Sequence, residues 1–152
     1  MRVESRLREL GIELPNLPVP AGSFVDCVQV GNLLFSSGKG ARGLDGNPIV
    51  GRVGETVSVD EAYEHSRLIT LYLMASWKQA LGSLDRVKRV VKVLALVNAT
   101  PDFKEHPKVV NGCSDFLLNV FGDAGRHARS AMGAGSLPNG ISVEIEAIVE
   151  TD

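Results

Sequence analysis

The sequence predicts an α+β fold with one mostly antiparallel sheet and two helices on one face of that sheet. Strand-like segments rich in β-branched residues lie near both ends and in the middle of the chain. Two segments between them repeat apolar residues at helical spacing. The length of 152 residues, with 44% apolar and 22% charged residues, suits one globular core. We therefore interpret residues 1–152 as a single domain, in which residues 1–20 form an N-terminal extension.

The N-terminal extension combines a short helix with a proline-rich stretch. Residues 4–10 predict the helix, because Leu7 and Leu10 share one side of it and Gly11 is a natural stop. The prolines that follow impose an extended, irregular path, since each lacks a backbone N–H and restricts the residue before it; they are Pro15, Pro18 and Pro20.

Two strands follow the extension and form a hairpin. They are predicted at Phe24–Val30 and Leu33–Ser37, and Gly31-Asn32 between them has the glycine-first order of a type II′ turn. The glycine-rich stretch 38–54 then predicts a long loop, with a short strand at Ile49 and Val50.

Both long helices carry start and stop signals. Ser58 and Glu61 form a capping box that begins the first helix, and Gly82 ends it. The second helix is predicted from about Pro107 to a stop at Gly122, with an apolar stripe along one side.

The remaining strands place the candidate functional residues. Val87–Val97 is apolar on both faces, which favours a central strand. Residues 141–149 alternate in character, so Glu144 is predicted on the face opposite the aliphatic core. The Pro and Asn-Gly within residues 137–140 predict a turn that brings Arg129–Ala134 antiparallel to the last strand. The guanidinium at the start of that segment would then lie close to Glu144.

Small residues near Arg129 leave room above the sheet; they are Ala131, Gly133, Ala134 and Gly135. A guanidinium in such a space can hold a carboxylate through two parallel hydrogen bonds, which would make this region a pocket floor. The alternative is that Arg129 is an exposed strand residue that forms an ion pair with Glu144. The pattern alone leaves both interpretations open.

The charge balance argues against a dominant nucleic-acid footprint. Sixteen basic and eighteen acidic residues give a net charge of −2, so nucleic acid is not the expected partner. Lys88, Arg89 and Lys92 interrupt the central strand and are interpreted as cations that reach water, with RNA contact as the alternative.

Cysteine and histidine usage predicts neither disulfides nor a metal site. Cys27 and Cys113 are too few for a disulfide framework, and Cys113 lies in the apolar stripe of the second helix. His65, His106 and His127 lack metal-ligand spacing. The N-terminus is too charged for a signal peptide, and no apolar run would span a bilayer. We therefore expect a cytoplasmic protein with no membrane partner.

Several stretches together resemble the RidA (YjgF/YER057c/UK114) family from about Pro20 to Glu150. They are residues 31–38 (GNLLFSSG), the Leu84-Asp85-x-Val87-x-x-Val90 approach to the central strand, Asn111, Ala128-Arg129-Ser130, and Leu137-Pro138 through residues 143–147 (VEIEA). The resemblance implies a chorismate-mutase-like fold that assembles as a homotrimer with three clefts between subunits. It also implies a cofactor-free deaminase that hydrolyses reactive 2-imino or enamino acids to 2-oxo acids and ammonia.

The resemblance also implies roles for individual residues. Arg129 matches the arginine that holds the substrate carboxylate, and Glu144 matches a glutamate that handles a water molecule and its protons. Gly38 and Asn111 match residues that line the cleft. The chain departs from the pattern at two further substrate-binding positions, which are Phe24, where a tyrosine is common, and Ala131, where many active relatives carry a cysteine. The long loop and the N-terminal extension resemble a less characterised branch of the family.

Two other functions remain open at this stage. The chain could bind 2-oxo acids or related carboxylates as a regulatory module without turnover, since the two departures remove cleft contacts. Some relatives are credited with endoribonuclease activity, for which the slightly acidic composition offers little support.

Overall fold

The computed structural model describes residues 2–152 and has three helices around one mixed sheet. The helices are α1 (Val3–Glu9), α2 (Val59–Leu81) and α3 (His106–Phe121). The strands are β1 (Cys27–Val30), β2 (Leu33–Ser36), β3 (Lys39–Gly40), β4 (Val87–Asn98), β5 (Ala128–Ala134) and β6 (Val143–Thr151). The predicted hairpin, both long helices and the short N-terminal helix are confirmed. The first strand begins three residues later than predicted.

The sheet order is β1-β2-β6-β4-β5, and β3 pairs with the first part of β6 along the same edge that β2 pairs with further on. β4 is therefore central, as its apolar sequence predicted. The predicted antiparallel pairing of Arg129–Ala134 with the last strand is wrong, because β5 pairs with β4 in parallel and β4 separates β5 from β6.

The connection between β5 and β6 explains this difference. Pro138–Gly140 does form a tight turn, but the chain does not enter β6 directly after it. Ser142 N–H instead donates to Ile49 O, and Gly51 N–H donates to Gly140 O, so the segment first pairs with the glycine-rich loop. This pairing carries the chain across the end of β4. β5 and β6 therefore lie on opposite sides of β4, and each forms backbone hydrogen bonds with it.

The core lies between the sheet and α2 and α3. Its sheet side comes from alternate residues of β4 and β6, which are Val90, Val93, Ala95 and Val97 with Val143, Ile145, Ala147 and Val149. The two helices approach most closely at Gly112, where a Cβ atom would lie 1.9 Å from the carbonyl oxygen of Tyr63. Glycine is thus required for the two helix backbones to approach this closely.

The N-terminal extension and the long loop are both tied to this core. Val3 and Leu7 of α1 are buried, and Arg6 donates to the backbone and side chain of Asn119 at the end of α3. The loop is held by Tyr72, whose hydroxyl donates to Gly43 O at 2.6 Å.

The opposite face of the sheet is open and carries apolar side chains. Val28, Val30, Phe35 and Met132 are 53%, 63%, 40% and 48% exposed. Glu144 lies on this face, as predicted, because its neighbours in β6 point into the core. No helix within residues 2–152 has both the length and the apolar composition needed to cross a bilayer.

We expect Gly112→Ala to destabilise the fold by about 2 kcal/mol or more, since the new methyl group would push α2 and α3 apart. Denaturant unfolding of the variant and the wild type would measure the change. Gly135→Ala is the control, because a Cβ atom there meets nothing within 4 Å. Equal stabilities for Gly112→Ala and wild type would contradict the close helix contact.

Candidate active site

Arg129 lies on the edge strand β5 and is held against α3. It is paired in register with Val93, a fully buried residue, so its side chain emerges on the helix side of the sheet. Its Nη1 donates to Asn111 Oδ1 at 2.8 Å and to Ser114 Oγ at 3.1 Å. The predicted cleft residue Asn111 is therefore a direct partner of Arg129.

These contacts orient the guanidinium and leave one of its edges available. Both hydrogens of Arg129 Nη1 are used, and Nη2 makes one long contact of 3.5 Å to Pro107 O. Nε has no partner among residues 2–152. The Nε/Nη2 edge therefore presents two parallel N–H groups, which is the arrangement that binds a carboxylate bidentately.

A histidine and a serine extend the network behind Arg129. His127 Nδ1 lies 2.7 Å from Gly125 O, and because a carbonyl can only accept, Nδ1 carries the hydrogen. Nε2 is then the acceptor for the Ser114 hydroxyl at 2.8 Å. Burial, together with the charge of Arg129, lowers the pKa of His127 and favours this neutral form. The hydroxyl oxygen of Ser114 is thereby left to accept from Arg129.

We call Asn111, Ser114, His127 and Arg129 the Arg129 cluster. Sequence analysis did not identify Ser114 and His127, although two weak signals were present. His127 lies two residues before Arg129 and thus on the same side of a strand. Ser114 lies three residues after Asn111 and thus on the same side of a helix. Ala131 is the next residue on this side of β5.

Glu144 lies in a different environment on the open face of the sheet. Its side chain packs over Gly38, where a Cβ atom would lie 3.0 Å from Glu144 Oε2. Partial burial is the main cause that raises the pKa of Glu144, and the neighbouring Glu146 adds to it. A carboxyl group with a raised pKa is suited to exchange protons near neutral pH.

Phe24 and Gly38 line one cavity of about 130 Å³. The ring of Phe24 is 51% exposed and offers an apolar wall without a hydroxyl. Lys39 also lines this cavity, and its positive charge is balanced by an ion pair with Asp26. We call Phe24, Gly38 and Glu144 the Glu144 cluster.

The structure thus places five of the six predicted residues in two groups, with Ala131 next to Arg129 on the same side of β5, and does not bring the groups together. Arg129 projects toward the helices, and Glu144 projects from the other face of the same sheet. The predicted proximity of Arg129 and Glu144 is wrong within one chain, and no ion pair between them occurs among residues 2–152. The misplaced hairpin caused this error, since antiparallel neighbours would have put the two side chains near each other.

The other candidate groups are structural. Cys113 is fully buried, and burial raises the pKa of its thiol to about 11, so the thiolate nucleophile is not available near neutral pH. His65 bonds to Ser142 Oγ at 2.8 Å and joins α2 to the start of β6. Residues 2–152 contain no group of three or more His, Cys, Asp or Glu side chains able to hold a metal ion.

The lowered pKa of His127 predicts a pH effect on stability. The unfolded chain binds the proton more readily, so this residue reduces the free energy of unfolding as the pH falls below about 6.5 toward the folded pKa. His127→Gln, whose amide oxygen can still accept from Ser114, should lose less stability between pH 7.5 and pH 5.5 than the wild type. Melting temperatures at the two pH values would show this. An identical loss in both proteins would contradict the neutral state of the half-buried His127.

Comparisons with known proteins agree with this fold and extend over almost the whole chain. Residues 4–144 match the family model described as "YjgF/chorismate_mutase-like, putative endoribonuclease". The chain is 43% identical over 150 residues to Protein TCP17 of Trypanosoma cruzi, covering 98% of this chain and 94% of that protein. It is 27% identical over 139 residues to the 2-iminobutanoate/2-iminopropanoate deaminase of Dermatophagoides farinae, covering 91% and 93% of the two chains.

A solved structure from Shewanella oneidensis, called a "putative endoribonuclease", superposes with a TM-score of 0.94 at 33% identity and covers 99% of both chains. The family match and these identities agree with the family resemblance of the sequence as a whole. The chain therefore belongs to the YjgF/chorismate mutase-like family, the RidA family that its motifs resemble.

Proposed function

We propose that the protein is a cofactor-free deaminase that hydrolyses reactive 2-imino or enamino acids to 2-oxo acids and ammonia, in clefts between the subunits of a homotrimer. The observation that carries this proposal is the free Nε/Nη2 edge of Arg129, held in place by Asn111 and Ser114 beside an open edge strand. The activity in the name of the Dermatophagoides farinae relative is of this kind.

The chemistry needs little beyond positioning and proton transfer. Arg129 would hold the substrate carboxylate and fix the position of the imine carbon. Glu144 would accept a proton from water as the water oxygen bonds to that carbon, and would return a proton to the nitrogen. The remaining hydroxyl then passes its proton to the amino nitrogen as the C–N bond breaks, so that ammonia leaves and the 2-oxo acid remains. One water molecule is consumed for each ammonia released.

The separation of the two clusters supports a site shared between subunits. Because Arg129 and Glu144 lie on opposite faces of one sheet, a single chain does not present both to one small substrate. The open face carries exposed apolar side chains suited to burial against another copy, including Phe35 and Met132. In a homotrimer, the Arg129 cluster of one subunit would face the Glu144 cluster of the next.

A binding module without turnover is the alternative function. Phe24 supplies no hydroxyl and Ala131 supplies no thiol, so the cleft has fewer groups able to assist the reaction than many relatives have. Such a protein would bind 2-oxo acids through Arg129 and leave the rate of imine hydrolysis unchanged.

We expect Arg129→Ala and Arg129→Lys to lower the rate of imine hydrolysis about 100-fold or more, because neither retains the fork that orients the carboxylate. Glu144→Gln should lower it by a similar factor, since an amide cannot accept the proton from water. An oxidase would generate imines from neutral amino acids, and semicarbazide would trap what remains. Arg8→Ala, which removes an exposed arginine on α1, is the control and should keep the wild-type rate. Wild-type turnover in the Arg129 variants would contradict the assignment.

A further inference from the structure

A cavity of about 300 Å³ opens between β5, the start of α3 and the loops at the end of β4. Arg52, Thr100, Phe103, His106, Gly133 and Gly135 line it. Its volume lies at the lower end of the range for small-molecule sites. Neither the family motifs nor the reaction proposed above uses this cavity.

The cavity walls present hydrogen-bond donors and no acid. Arg52 donates from Nε and Nη2 to Ala99 O, at 3.2 Å each, which fixes the guanidinium and leaves Nη1 without a partner among residues 2–152. The ring nitrogens of His106 also have no hydrogen-bond partner within that range. The ring makes an edge contact with Phe103. None of the described lining residues is Asp or Glu.

Gly133 determines where the imidazole of His106 lies. A Cβ atom on Gly133 would be 2.8 Å from His106 Nε2, so any larger residue there would displace the ring. The ring therefore rests directly on the backbone of β5. It lies on the same side of the strand as Arg129, because residues 129, 131 and 133 alternate with residues on the open face.

This geometry connects the cavity to the Arg129 cluster. Ala131 is the residue between Arg129 and Gly133 on that side of β5. Arg129 Nη2 lies 3.5 Å from the carbonyl oxygen of Pro107, the residue that follows His106. A carboxylate bound at Arg129 and a second acidic group near His106 thus fit the dimensions of one small dicarboxylic acid.

We propose that the Arg52–His106 cavity is a subsite for an anionic substrate side chain, so that the preferred substrates are 2-imino acids with a second carboxylate. This inference rests on the proposed function for the reaction, but the binding subsite can be tested without turnover. Arg52 is a specificity residue that pairs with the distal carboxylate, and His106 donates a hydrogen bond to it. The proximal carboxylate stays on Arg129.

Binding of the product-like 2-oxo acids tests the subsite directly. By calorimetry, 2-oxoglutarate should bind the wild-type protein about 10-fold or more tightly than 2-oxobutanoate, which lacks the distal carboxylate. Arg52→Met should remove most of this preference, and Arg129→Ala should weaken both ligands. His106→Phe keeps the aromatic contact with Phe103 and removes the nitrogen donors, so it tests the same point if Arg52→Met fails to fold. Equal affinity for the two ligands in the wild type, or a preference that survives both variants, would overturn the subsite.

Turnover separates this inference from the proposed function. Imines made from aspartate or glutamate by an aspartate oxidase should be hydrolysed in preference to imines made from neutral amino acids, and the ratio should fall about 10-fold in Arg52→Met. If the wild type binds dicarboxylates selectively but hydrolyses no imine, the subsite stands and the deaminase proposal fails. If it hydrolyses neutral imines as readily as acidic ones, the deaminase proposal stands and the subsite inference fails.

Discussion

The parallel pairing of β5 with β4 is the constraint on which the candidate site depends. Register with the buried Val93 turns Arg129 toward α3, where Asn111 and Ser114 occupy Nη1. A hairpin between β5 and β6 would have placed the guanidinium beside Glu144. The observed topology instead separates the cation from the carboxylate by the thickness of the sheet. Under the proposed function, one chain would then carry two incomplete halves of a site.

Pre-organisation distinguishes the Arg129 cluster from a surface arginine. An exposed guanidinium loses side-chain entropy when it binds an anion, whereas Arg129 is already oriented by acceptors that leave its Nε/Nη2 edge available. The neutral His127 maintains this arrangement, because its Nε2 accepts a hydrogen bond from the Ser114 hydroxyl. The Ser114 oxygen is then left to accept from Arg129. The proposed hydrolysis of an intrinsically labile imine would then need only a water molecule and a group that transfers protons.

The sequence predicted most of the fold, but not the geometry of the candidate site. Capping at Ser58 and Glu61, the turn at Gly31-Asn32 and the apolar β4 are local signals, and each was confirmed. The placement of β5 depends on long-range hydrogen bonds from Ser142 and Gly51, which no local pattern encodes. Ser114 and His127 were missed for the same reason, since their contact joins a helix to the chain just before a strand. The motifs could identify Arg129 and Glu144 as site residues without showing that they lie on opposite faces.

Complementation between two inactive variants tests the central claim most directly, namely that Arg129 and Glu144 act from different chains. Arg129→Ala and Glu144→Gln would be co-expressed with different tags, the mixed oligomers purified, and imine hydrolysis measured. If each cleft takes Arg129 from one chain and Glu144 from its neighbour, every mixed trimer restores both residues in one of its three clefts, so activity should reach about one third of the wild-type value. No activity in the mixed oligomers, with both variants folded and assembled, would contradict a site shared between subunits.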